Sequence, residues 1–215
     1  MNWKKCLSGH NSPCAKGEPP LKRLYIDCCI TVHGSASRTA ALAETFLSAW
    51  RAAHPEADIE TLDLKTLTLN PLLGNALRLR ETLQGEGRTE GASFALARQF
   101  AAADRIVIAA PYWELSFPAQ LRLYIEHIAA QGITFDYTSQ GQVGLCRAEK
   151  LLFLTTAGGS LEANCGSEHW RALCPFFGIG EYHFIGAPMQ DVKEIDHEAL
   201  LRDALSQAKA LAESF

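Results

Sequence analysis

The chain has 215 residues, a formal net charge of −4 and no Lys/Arg-rich stripe, so it offers no basic surface for nucleic acid. No apolar run approaches the length of about 20 residues that spans a bilayer, and no apolar signal region follows the two lysines near the amino terminus. These features exclude nucleic-acid-binding and membrane-spanning classes. They predict a cytoplasmic protein with one large domain.

The first 20 residues differ in composition from the rest of the chain. They are rich in Lys, Gly, Pro, Ser and Cys, and they show neither helical nor strand periodicity. The sequence therefore predicts an irregular amino-terminal extension over residues 1–20 and a folded domain over residues 21–215.

Seven cysteines are scattered along the chain without CxxC spacing. An odd number in this pattern indicates neither a disulfide framework nor a zinc ribbon. Cys6, His10 and Cys14 are three soft ligands near the amino terminus, but their spacing matches no common metal motif. The sequence predicts reduced thiols and no metal site, and an iron–sulfur centre that uses Cys6 and Cys14 stays as an alternative.

Strands and helices alternate along the predicted domain. Apolar or alternating runs predict strands at 24–29, 59–64, 106–110, 151–155 and 182–185. Helical spacing of apolar residues predicts the main helices at 39–53, 93–103, 117–130, 167–176 and 197–214. A long segment, 65–91, suits a binding segment with a short helix at 76–83, and 132–145 is typical of a hairpin. Such alternation predicts an α/β fold with a five-stranded parallel sheet.

The first helix begins with a group of hydrogen-bond donors, Ser37-Arg38-Thr39. A helix amino terminus presents unpaired N–H groups and a partial positive charge, which favours an anion such as a phosphate. Ser and Thr at this position are also ordinary helix caps, and this alternative stays open. The chain lacks GxxxxGK[ST] and GxGxxG, which excludes the P-loop and the dinucleotide fingerprint.

Two further loops follow predicted strands. Pro111-Tyr112-Trp113-Glu114-Leu115 offers aromatic and aliphatic walls, and Thr156-Ala157-Gly158-Gly159 lets main chain approach a flat ligand closely. The alternative for the first segment is a buried loop anchored by its aromatics, and the second segment alone is equally compatible with a plain turn. With the sheet order 2-1-3-4-5, all three loops lie side by side at the edge where such folds bind FMN. A phosphate site beside walls for a flat ring favours a flavin mononucleotide over ATP or NAD.

These segments, together with Gly132-Ile133-Thr134-Phe135-Asp136-Tyr137-Thr138, resemble the flavodoxin-like family of FMN-dependent NAD(P)H:quinone oxidoreductases and azoreductases. The resemblance extends in order from residue 22 to about residue 213. It implies a flavodoxin-like three-layer sandwich with the FMN phosphate at Ser37, Arg38 and Thr39. It also implies that the flavin ring lies against Pro111, Tyr112, Trp113, Glu114 and Leu115 and against Thr156, Ala157, Gly158 and Gly159. Phe135 and Tyr137 would then line the substrate site across a homodimer interface.

The resemblance implies a ping-pong reaction in which NADH or NADPH reduces FMN, and FMN then passes two electrons to a quinone, an azo compound or a similar small acceptor. No catalytic side chain is predicted, because the chemistry belongs to the flavin. Three departures from the family pattern are present: Glu114 replaces a frequent Asn, and Ala157 replaces a frequent Arg. The third is in the phosphate loop, where the family often has an early serine and this chain has Cys28, Cys29 or Thr31. These departures leave FMN plausible and the preferred acceptor open.

The principal alternative is a flavodoxin-like electron carrier, which binds FMN but has no substrate of its own. Such carriers are usually more acidic than this chain, and the long segment 65–91 suits a substrate pocket better than a carrier. A protein that has lost its flavin is a further alternative. The absence of a GxSxG elbow disfavours a hydrolase.

Overall fold

The computed structural model of the protein describes residues 21–30 and 37–215. The predicted extension, with Cys6, His10 and Cys14, lies outside the described residues. So do residues 31–36, which precede Ser37 in the sequence. The description of the fold and of the site below therefore concerns the remaining chain.

Seven strands occur in the described chain: β1 (Arg23–Asp27), β2 (Ile59–Asp63), β3 (Arg105–Ala109), β4 (Phe135–Thr138), β5 (Gly141–Gly144), β6 (Lys150–Thr156) and β7 (Glu181–Ala187). Five of them form a parallel sheet in the order β2-β1-β3-β6-β7. The predicted five-stranded parallel sheet is thus confirmed. Its numbering differs from the expected 2-1-3-4-5 because β4 and β5 pair with each other as a separate antiparallel hairpin.

Six α-helices occur in the described chain: α1 (Arg38–Ala53), α2 (Gly74–Gly85), α3 (Ala95–Ala102), α4 (Ala119–Ile128), α5 (Cys165–Phe177) and α6 (His197–Ala212). A short 3-10 turn, Ala92–Phe94, precedes α3 in the region predicted as the start of that helix. In the described chain, no helix combines the length and apolar character needed to cross a bilayer.

The sheet has a helical layer on each face because its strands carry apolar side chains on both sides. In β1, Leu24 and Ile26 pack in a cluster with residues of α3, α4 and α5, whereas Tyr25 packs in a second cluster with α1 and α6. Successive residues of a strand point to opposite faces, which explains this division. The central strand β3 is buried throughout Ile106–Ala109. All five strands run in the same direction, so the loops after β3, β6 and β7 and the start of α1 meet at the carboxyl edge.

Candidate functional site

A cleft of about 220 Å³ opens at the carboxyl edge of the sheet. Its described lining consists of Ser37, Arg38, Thr39, Pro111, Tyr112, Trp113, Thr156, Ala157, Gly158, Gln190 and Asp191. The structure therefore brings together residues from all three loops singled out in the sequence. It adds a fourth segment, the loop after β7.

The start of α1 provides unpaired donors to this cleft. Ser37 is the N-cap residue, and its Oγ accepts a hydrogen bond from the N–H of Ala40 at 3.2 Å. Arg38 and Thr39 are the first two helical residues, and N–H groups at such positions have no acceptor within the helix. The capping role of Ser37 and an anion-binding role of this helix start are compatible, because the Ser37 hydroxyl still has a proton to donate.

The side chain of Thr39 is engaged inside the protein. Thr39 is only 2% exposed, and its hydroxyl oxygen lies 2.6 Å from the hydroxyl oxygen of Thr156. This hydrogen bond joins the first turn of α1 to the last residue of β6. Thr39 therefore positions the helix start against the sheet, and the group it leaves for a ligand is its backbone N–H.

The loop after β3 is attached to the neighbouring strand and ends in a tight turn. The N–H of Tyr112 donates to the carbonyl of Thr156 at 3.1 Å. Trp113 and Ser116 exchange two backbone hydrogen bonds of 3.1 and 2.8 Å, with Glu114 and Leu115 between them. Glu114 and Leu115 form an exposed tip and do not belong to the described lining of the cleft.

Both residues at this tip have a positive φ, 51° at Glu114 and 65° at Leu115. Each such non-glycine conformation costs of the order of 1–3 kcal/mol. The turn is held in place by its own two hydrogen bonds and by the N–H of Cys165, which donates to the carbonyl of Leu115 at 2.8 Å. Strain of this kind is concentrated at binding sites, where it fixes main-chain groups in one orientation.

The loop after β6 brings bare backbone to the cleft. A Cβ atom at Gly158 would lie 2.5 Å from Oδ2 of Asp191, so this position admits no side chain while that carboxylate stays in place. Gly159 is exposed, has open space around it and is absent from the described lining of the cleft. The N–H groups of Gly158 and Gly159 donate to no acceptor among the described residues.

The loop after β7 contributes two residues that the sequence interpretation missed. Gln190 and Asp191 line the cleft, and their segment is hydrogen-bonded to the glycine loop. The N–H groups of Met189, Gln190 and Asp191 donate to the carbonyls of Gly159, Ala157 and Gly158 at 2.8, 2.9 and 3.1 Å. Their position in the sequence could have identified them. Polar residues that directly follow a parallel strand lie at the same edge of the sheet as the other loops.

Gln190 presents a buried acceptor beside the cleft. The residue is 2% exposed, and its Nε2 donates to the carbonyls of Pro188 and His197 at 2.9 and 3.1 Å. Its Oε1 has no hydrogen-bond partner in the described part of the chain. A buried acceptor without a partner is costly, and this one belongs to a residue that lines the cleft.

Phe135 and Tyr137 lie on the β4–β5 hairpin, away from the described lining of the cleft. Phe135 packs on Phe176 of α5 with 4.6 Å between ring centroids. Tyr137 is 63% exposed and contacts Phe135 edge to face at 5.8 Å. Within one chain, these two rings therefore do not meet the loops that form the cleft.

Two thiols, Cys28 and Cys29, directly follow β1 in the sequence. Burial raises the pKa of Cys28 to about 12, and burial also raises the pKa of Cys29. Both thiols are therefore neutral at ordinary pH and add no negative charge near the start of α1. Elsewhere in residues 21–30 and 37–215, no three His, Cys, Asp or Glu side chains are grouped as metal ligands.

Comparisons with known proteins agree with this architecture. A family model described as a flavodoxin-like fold matches residues 22–212. The FMN-dependent NADH:quinone oxidoreductase 2 of Clostridium acetobutylicum is 38% identical over 200 residues, which cover 90% of this chain and 99% of the relative. An FMN-dependent NADH:quinone oxidoreductase of Clostridium perfringens is 34% identical over 197 residues, with coverage of 90% and 99%.

The crystal structure of an azoreductase from Bacillus anthracis superimposes with a TM-score of 0.81 at 25% identity, covering 91% of this chain and all of that chain. The agreement in fold and in sequence extends over almost the whole described domain. The chain therefore belongs to the flavodoxin-like family of FMN-dependent NADH:quinone oxidoreductases and azoreductases.

Proposed function

We propose that this protein is an FMN-dependent oxidoreductase that transfers two electrons from NADH to a quinone or an azo compound. The observation that carries the proposal is the meeting of four loop segments in one cleft at the carboxyl edge of the sheet. The names of the relatives from both Clostridium species support FMN, NADH and a quinone acceptor. The azoreductase neighbour supports azo compounds as a further class of acceptor.

The residues of the cleft fit the two chemically different ends of FMN. The N–H groups at the start of α1, the hydroxyl of Ser37 and the guanidinium of Arg38 suit the phosphate. The walls Pro111–Trp113 and the bare backbone at Gly158 suit a flat ring. The unpaired Oε1 of Gln190 is an acceptor for an N–H or hydroxyl donor. When bound, FMN would accept a hydride from the nicotinamide and pass two electrons to the acceptor.

The protein's own contribution is orientation and electrostatic stabilisation. The N–H groups of Glu114 and Gly158 have no acceptor among the described residues, so they are available to stabilise negative charge on a bound ring. The carboxylate of Glu114 acts in the opposite sense, because it disfavours a nearby anion. No side chain of the described cleft is assigned as an acid or base.

We further propose that the active form is a homodimer in which Phe135 and Tyr137 of one chain face the flavin cleft of the other. Several large apolar side chains are exposed on the single chain, namely Leu73, Leu79, Trp113, Leu115 and Tyr137. Exposed apolar side chains in such number favour burial against a second copy. Sedimentation equilibrium of the wild type and of Tyr137→Asp tests this proposal, since a charge at a buried interface would promote dissociation.

The test of the proposed activity is a set of visible spectra of purified protein supplied with FMN. The expected result is a bound yellow flavin that NADH bleaches anaerobically and that menadione then reoxidises. A flavin that is bound but not reduced by NADH would favour the electron carrier. Failure to bind FMN at all would reject both functions. Repeating the anaerobic reduction with NADPH in place of NADH shows which nicotinamide the protein uses.

A further inference from the structure

Arg38 and Asp191 form an ion pair at the edge of the cleft. The Nη1 atom of Arg38 donates to Oδ1 of Asp191 at 2.8 Å. The side chains are 41% and 72% exposed, so both remain accessible to a charged ligand. Arg38 is also the cationic side chain that the proposed function assigns to the FMN phosphate.

The main chain of Asp191 is held in place by the glycine loop. Its N–H donates to the carbonyl of Gly158 at 3.1 Å, and the preceding residue, Gln190, is bonded to Ala157. The second carboxylate oxygen lies above Gly158, where even a methyl group would collide with it. A negative charge is therefore built into the end of the cleft that contains Arg38.

A phosphate at Arg38 would encounter this charge directly. An exposed ion pair is weak, and a guanidinium binds a phosphate in the same forked geometry as a carboxylate. A phosphate dianion would therefore either share the Arg38 guanidinium with Asp191 or displace the Asp191 carboxylate from it. In either case the carboxylate repels the phosphate at close range, whereas it does not repel a flavin without a phosphate.

We propose that Asp191 is a specificity-determining residue that competes with the FMN phosphate for Arg38. It thereby reduces the preference of the cleft for FMN over riboflavin. The inference rests on the proposed function, since it requires that the cleft bind flavin with its phosphate at Arg38. It assigns a role in flavin selection to Asp191 on the loop after β7, and it predicts that this residue lowers the affinity for FMN.

The test is a fluorescence titration of flavin-free protein with FMN and, separately, with riboflavin. Asp191→Asn is expected to bind FMN about three- to tenfold more tightly than the wild type, while riboflavin affinity changes less than about twofold. The matched control is Glu194→Gln, which removes the same charge from the same exposed segment at a residue that forms no ion pair within residues 21–30 and 37–215. The control is expected to leave the ratio of the two affinities unchanged.

A double variant distinguishes competition for Arg38 from simple repulsion. In the background of Arg38→Ala, the gain from Asp191→Asn is expected to shrink to the part that comes from direct repulsion, because the contested cation is gone. Circular dichroism and thermal melting of each variant verify folding, and Asp191→Ser serves as a second substitution with the same expected effect.

Three results would overturn the inference. An equal gain for FMN and riboflavin would show a general effect on the cleft. Weaker FMN binding by Asp191→Asn would show that the carboxylate orients Arg38 for the phosphate. An undiminished gain in the Arg38→Ala background would show that Arg38 is not the contested group. If the wild-type protein binds neither FMN nor riboflavin, the proposed function fails together with the inference. If the wild-type protein binds FMN but one of the three results above is found, only the inference about Asp191 fails.

Discussion

The hydroxyl of Thr39 lies 2.6 Å from the hydroxyl of Thr156, although 117 residues separate them in the sequence. Thr39 lies in the first turn of α1, and Thr156 ends β6 next to the glycine loop. The contact fixes the distance between the proposed phosphate end of the cleft and the backbone proposed to lie along the flavin ring.

Loss of this contact should affect both stability and flavin binding. Thr156→Val leaves the buried Thr39 hydroxyl without its partner, so the free energy of unfolding should fall by about 1–3 kcal/mol. FMN affinity should fall as well, because the start of α1 is no longer fixed to β6. Urea unfolding and FMN titration measure the two effects. Thr45→Val is the control, since the Thr45 hydroxyl donates to the carbonyl of Ala41 on the exposed side of α1. Equal losses of stability and of FMN affinity in the two variants would contradict a special role of the Thr39–Thr156 contact.

Removal of the guanidinium of Arg38 should weaken FMN binding selectively. A hydrogen bond to a charged group contributes about 1.5–3 kcal/mol, so Arg38→Ala should raise the dissociation constant for FMN correspondingly. Riboflavin binding should change little, because riboflavin has no phosphate. Arg51→Ala provides the control on the same helix, where the side chain pairs with Glu44. Unchanged FMN affinity in Arg38→Ala would count against a phosphate site at the start of α1.

The hairpin that carries Phe135 and Tyr137 depends on a close backbone contact. A Cβ atom at Gly144 would collide with the backbone nitrogen of Gly178 at the end of α5. Gly144→Ala therefore forces the hairpin away from α5 and should lower the free energy of unfolding by about 1–3 kcal/mol. Gly91→Ala, where a Cβ meets nothing within 4 Å, is the matched control for urea unfolding. Similar midpoints for both variants would refute the packing argument.

Stability should decrease in alkaline solution because several thiols are buried. Burial raises the pKa values of Cys28, Cys146 and Cys174 to about 12, from an ordinary value of 9.0. Above pH 9 the unfolded chain loses thiol protons that the folded chain retains. The stabilisation is therefore complete below pH 9 and is lost as the pH rises toward 12, at up to about 1.4 kcal/mol per pH unit for each thiol.

Urea unfolding under reducing conditions between pH 8 and pH 10.5 measures this slope. Cys174→Ala should reduce the dependence of the free energy of unfolding on pH by the contribution of one buried thiol. Cys165→Ala is the control, because that thiol is exposed. The difference between wild type and variant cancels the contribution of the tyrosines. An identical slope in Cys174→Ala and wild type would contradict the assignment.

Sequence periodicity was sufficient to predict the parallel sheet, because strands buried on both faces are continuous apolar runs. The meeting of the three predicted loops follows from the shared direction of the strands, and it placed Arg38, Pro111 and Gly158 correctly at one edge. The loop after β7 escaped prediction for a physical reason. The strand Glu181–Ala187 begins with polar residues and has Gly186 near its end, so its apolar pattern stops two residues before the strand does.

The turn at Glu114 and Leu115 shows a second limit of local patterns. A positive φ at two successive positions favours Gly or Asn, and neither is present. The conformation is imposed by long-range contacts, including the hydrogen bond from Cys165. Local propensity therefore gave no indication that these side chains would form an exposed tip beside the cleft. The separate hairpin β4–β5 was predicted as an excursion, but its packing against α5 depends on Gly144 and Gly178, which are far apart in sequence.

The pairing of Arg38 with Asp191 spans 153 residues of the chain. A nascent polypeptide therefore lacks one side of the cleft until synthesis has passed the last strand of the sheet. Because contacts so distant in sequence form late in folding, cofactor uptake should follow completion of the domain on the ribosome rather than guide its early stages.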